Sequence, residues 1–123
     1  MIETLNGFAD GVVAIRAHGE VTRKDYQDVL VPAIEAALKT HKKIALYYET
    51  AADFTGYTLG AMEEDTLLGV MHLLQFRRCV VVSDVNWIRA AIGTFRPLMP
   101  CPVRVFPLSH AEGAKHWIET ADH

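Results

Sequence analysis

Two short segments hold the residue types that could do chemistry. Glu49–Thr58 offers Glu49, Asp53, Thr55 and Tyr57, and Ser83–Trp87 offers Asp84, Asn86 and Trp87. Two carboxylates near helix starts can bind a metal ion or act as acid and base. The same residues also suit plainer roles. Asp53 can cap a turn, Asp84 can cap the helix that follows it, and Trp87 can simply pack. In open α/β sheets, ligands sit beyond the carboxyl ends of the strands. The chemistry therefore depends on whether the fold brings both segments to one rim.

Other reaction classes lack their parts. The histidines (His18, His41, His72, His110, His116 and His123) include no pair spaced i, i+4 for zinc. The only serines, Ser83 and Ser109, sit at a strand end and a helix cap, with no nucleophile elbow. Gly56, Gly60 and Gly69 are wrongly spaced for a phosphate loop or dinucleotide fingerprint. Cys79 precedes Val80-Val81-Val82 and reads as a small buried hydrophobe, and Cys101 lies between two prolines. The expectation is no enzyme activity, no cofactor and no metal.

The chain of 123 residues is expected to form one domain spanning 1–123. Half of it is hydrophobic, enough for a core without staples, and charged residues are 22%. The net charge of −3 gives no basic footprint for nucleic acid. The densest basic spot, Lys39, His41, Lys42 and Lys43, reads as a solvated turn before a strand. No apolar run approaches bilayer length, and the N-terminus does not read as a signal peptide. The expected location is cytoplasmic.

Asn6-Gly7 and Asp10-Gly11 mark turns, and Ile2–Leu5 with Val12–His18 reads as an N-terminal hairpin. Thr22, Asp25, Val21 and Tyr26 predict a capping box with a hydrophobic staple. Tyr26, Val29, Leu30, Ala33, Ile34, Ala37 and Leu38 then form one helical stripe, with a kink expected at Pro32. Ile44–Tyr48 and Arg78–Val82 read as central strands, and Pro102–Phe106 as an edge strand. A second helix is predicted from Gly60 to about Phe76, whose Met62, Leu67, Met71, Leu74 and Phe76 form a core stripe or line an apolar pocket. A third runs from Asp84 to about Phe95 with Phe95 inward, and Ser109-His110-Ala111-Glu112 predicts a capping box for the last. Phe95, Leu98 and Met99, in a proline-rich stretch, form an apolar patch or tuck onto the core. The order β-β-α-β-α-β-α-β-α predicts an α/β domain. Its sheet is mixed, mostly parallel and five-stranded, with about four helices.

With these pieces in order, the chain resembles the SpoIIAA-like family, of the STAS/SEC14 type. The matching segments are Thr22-Arg23-Lys24-Asp25-Tyr26 with Pro32, and Asp53-Phe54-Thr55-Gly56. Arg78–Asp84 with Trp87, Val103-Arg104-Val105-Phe106 and Ala114–Ile118 complete the set. The resemblance implies a STAS-like fold. Its anti-anti-sigma relatives bind a partner protein and are switched by phosphorylation at a helix start. Its SEC14-like relatives carry lipids. The switch segment here has no serine, which leaves Thr55 and Thr58 as candidate phospho-acceptors. The expected function is a regulatory or binding module working through protein contacts, as a homodimer. The alternative is a carrier of a small apolar ligand.

Overall fold

The computed structural model describes residues 1–64 and 73–120. Seven strands are described: β1 (Ile2–Thr4), β2 (Val12–Ala17), β3 (Glu20–Val21), β4 (Ile44–Thr50), β5 (Gly56–Tyr57), β6 (Phe76–Val82) and β7 (Val103–Phe106). Five of them form one sheet in the order β1-β2-β4-β6-β7. β1 pairs antiparallel with β2, as the hairpin turns require, and every other neighbour is parallel. The domain is thus an α/β fold with a mixed, mostly parallel five-stranded sheet.

Helix α1 is composite: α-helical at Arg23–Asp25, π-helical at Tyr26–Leu30 and α-helical again at Val31–Leu38. Thr22 caps it through the predicted reciprocal box with Asp25. The kink expected at Pro32 takes the form of this π segment. Proline offers no N–H to the Asp28 carbonyl, so the turn before it widens, and the Val31 N–H reaches Tyr26. The helix still buries its stripe, with Tyr26, Leu30 and Ile34 fully enclosed. Each such side chain contributes about 1.5–3 kcal/mol of burial.

A further helix is described at 59–64. Two later helices are α2 (Asn86–Phe95) and α3 (Ala111–Glu119). α1 and Ala61 pack with Val13, Ile15, Ala17, Ile44 and Tyr48 on one face of the sheet. α3 covers the other through Ala114 and Ile118, against Ala45, Tyr47, Val80 and Val82.

Several local expectations are corrected. Phe76 opens β6 and is buried, so it ends no helix, while Met62 and Leu74 are exposed and belong to no core stripe. Leu67 and Met71 lie outside the described residues. Phe95 faces solvent, because α2 turns only Ile88 fully inward. α3 starts without a side-chain cap: a 3-10 turn at Leu108–His110 carries the chain in, and Ser109 bonds His110 instead. β3 and β5, a two-residue parallel ladder, were not foreseen. Gly19 (φ +54) and Gly56 (φ +144) permit the turns that bring them together, with backbone angles that other residues rarely adopt.

Candidate site at the strand-end rim

β4 and β6 run parallel side by side, with Glu49 level with Val82. The segments that follow them therefore emerge at the same rim. The Thr50 hydroxyl clamps the two ends together by donating to the Ser83 hydroxyl at 2.6 Å. Both residues are buried. Ser83 also accepts from the Val85 N–H, and its carbonyl accepts from the Arg89 guanidinium, which fixes the start of α2.

Within this rim the aromatic residues meet and the carboxylates part. The Tyr57 and Trp87 rings lie edge to face with centroids 5.9 Å apart, and Phe54 packs on Tyr57 at 5.0 Å. The Tyr57 hydroxyl bonds that of Tyr48, which bonds that of Tyr26, a relay of 2.8 and 3.1 Å into the core. Asp53 turns toward the β1–β2 edge, where its carboxylate meets His18 at 3.1 Å. Asp84 turns the other way and accepts from the Leu108 N–H at 3.0 Å, after β7. It does not cap α2, whose N-cap is Val85. Asp53 and Asp84 are thus each engaged by a different segment and share no partner among the described residues.

Thr58 caps the helix at 59–64, accepting from the Ala61 N–H at 3.1 Å. Thr55 and Asn86 are exposed, and the Thr55 backbone is pinned to the Gly19 carbonyl at 2.8 Å. Trp87 is 51% exposed, Met62 48% and Leu59 86%. The proline-rich patch divides: Phe95 and Leu98 are exposed, while Met99 packs against the core.

Residue spacing gave no hint of two charged clusters on the sheet. Register aligns Glu3 with Arg16 and Arg16 with Glu49. Glu49 is buried, accepting from Arg16 Nε at 2.6 Å and from the Tyr47 hydroxyl at 2.7 Å. Glu49 keeps Arg16 charged more firmly than usual, and burial with the Glu49 carboxylate pushes the Tyr47 phenol up. Beside this row, His18 bridges Glu3 and Asp53. The hydrogen bond to Glu3 raises the His18 pKa above its ordinary value, and the same bond holds Glu3 below the usual carboxylate range. A single charged residue near the C-terminal end of each of two apolar strands, Arg16 and Glu49, was the available signal. Cross-strand register, invisible in one sequence, turns it into a pair. Among the described residues, no group of three or more His, Cys, Asp or Glu could hold a metal ion.

A five-stranded mixed sheet with helices on both faces defines a small α/β domain of SpoIIAA-like fold. The family model described as SpoIIAA-like matches residues 12–119, and the chain belongs to that family. It is similar to the crystal structure of an uncharacterised DUF3478-family protein with a SpoIIAA-like fold from Shewanella loihica PV-4. The TM-score is 0.73 at 23% identity, covering 96% of this chain and 92% of that one, a likeness of fold. No curated protein matches it. No described helix is long and apolar enough to cross a membrane.

Proposed function

We propose that this chain is a non-catalytic binding module of the cytoplasm that works through protein contacts at the strand-end rim, the first of them with a second copy of itself. The observation that carries this reading is the half-exposed Trp87, held edge-on by Tyr57, while the helix that follows Tyr57 in the chain also exposes Leu59 and Met62. Large apolar side chains grouped on a surface are the usual mark of a contact face. The tyrosine relay and the Thr50–Ser83 clamp hold the platform rigid, which lowers the entropy cost of association. The neighbouring carboxylates favour binding over catalysis, because Asp53 and Asp84 are spent on separate structural hydrogen bonds.

Size-exclusion chromatography with light scattering at micromolar concentration tests the reading. The wild type is expected to run as a dimer, and Trp87→Arg as a folded monomer. A wild-type monomer, or a dimer that Trp87→Arg leaves intact, contradicts it.

A further inference from the structure

The opposite end of the sheet carries a feature that the contact face does not use. An open cleft of about 540 Å³ lies around the N-terminal end of the edge strand β7, where α2 ends and α3 runs out. Among the described residues, Arg78, Arg96, Arg104, Trp117 and Cys101 line it, and no carboxylate does. Three guanidiniums thus share one cleft in a chain whose net charge is −3.

The arrangement is built before any ligand arrives. Val80 lies opposite Arg104 across the β6–β7 ladder, so Arg78, two residues back, projects from the same face. Both guanidiniums stack near the Trp117 indole, at 4.6 and 5.2 Å from its centroid. Arg78 also donates to the Trp117 carbonyl at 3.1 Å, in the last turn of α3, where carbonyls lack helical partners. Arg96 and Arg104 are exposed, and neither has a carboxylate partner among the described residues. Like charges gathered this way repel, and an anion between them relieves the repulsion.

We propose that this cleft binds a phosphate-bearing anion, with Arg96 and Arg104 contacting its oxygens and Arg78 with Trp117 forming the floor. A phosphate monoester carries about −1.5 to −2 and several acceptor oxygens, matching several forks better than a single carboxylate does. The planar guanidinium suits bidentate contact with such oxygens. The phosphate has two natural sources, a soluble phosphoester or anhydride and the headgroup of an anionic lipid. Phe95 and Leu98, exposed on either side of Arg96 and Pro97, would enter the lipid surface in the second case.

The test uses Trp87→Phe, which leaves Trp117 as the only tryptophan. Titration with inorganic pyrophosphate is expected to change its emission saturably. Arg96→Gln and Arg104→Gln, each removing a charge-assisted hydrogen bond, should each weaken binding about ten-fold or more. Cosedimentation with phosphatidylcholine vesicles, with and without phosphatidic acid, separates the sources. A lipid headgroup gives phosphatidic-acid-dependent binding that Phe95→Ser/Leu98→Ser abolishes, with pyrophosphate affinity retained. A soluble ligand gives the pyrophosphate response alone. The proposal is overturned if neither probe binds, or if a folded Arg96→Gln/Arg104→Gln double variant binds both as well as its parent. The rim is read separately: Trp87→Arg, which tests the dimer, should retain pyrophosphate binding.

Discussion

Replacing Arg16 with leucine would leave the Glu49 carboxylate with only the Tyr47 hydroxyl against it. The Glu49 side chain is 9% exposed and that of Arg16 is 36% exposed. Stripping one partner from a fully buried pair costs about 3–5 kcal/mol. Arg16 is partly solvated, so water takes over some of its role and the loss should be about 2–3 kcal/mol near neutral pH. Urea denaturation followed by tryptophan emission measures this directly. Adding Glu49→Leu should recover most of the loss and leave about 1 kcal/mol for the orphaned Tyr47 hydroxyl. A single-variant loss under about 0.5 kcal/mol would refute the reasoning that Glu49 depends on Arg16. So would a double variant no more stable than Arg16→Leu.

The remaining predictions probe other joints. Thr22→Ala removes one half of the capping box of α1 and should cost about 1 kcal/mol in the same assay, with no change in the urea slope. Ser83→Ala leaves the Thr50 hydroxyl and the Val85 N–H without their shared partner, and should cost about 1–3 kcal/mol. Because the His18 pKa is raised, the stability its pairing with Glu3 supplies is fully present below about 6.5 and fades as pH rises through the raised value. Because the Glu3 pKa is lowered, its share is present above the ordinary carboxylate value and fades as pH falls through the lowered one. The stability gap between wild type and Glu3→Gln should therefore narrow at both extremes of pH. A gap that stays constant from mildly acidic to mildly alkaline buffer speaks against the pairing.

Local signals in the sequence carried most of the fold. Thr22 to Leu38 announced its cap, its stripe and its distortion, because each is set by residues within one or two helical turns. The continuous apolar runs at Ile44–Tyr48 and Arg78–Val82 marked central strands, which lie in the middle of the sheet. Parallel pairing of those strands then placed Asp53, Tyr57, Asp84 and Trp87 on one rim. What each side chain does there was not legible. Asp84 looks like a helix cap from its neighbours in sequence, yet its partner is Leu108, 24 residues away. Asp53 meets His18 across 35 residues, and Glu49 meets Arg16 across 33. The apparent capping box at Ser109 shows the same limit in reverse. Its residues have the right spacing, but the chain enters α3 through a 3-10 turn held by Asp84.

Hydrogen–deuterium exchange at low and high protein concentration, read peptide by peptide, addresses the contact face most directly. Protection that grows with concentration is predicted over residues 51–62 and around Trp87, with the β7 edge unchanged. Protection that appears only along β7, or exchange that is the same at every concentration and insensitive to Trp87→Arg, contradicts the account.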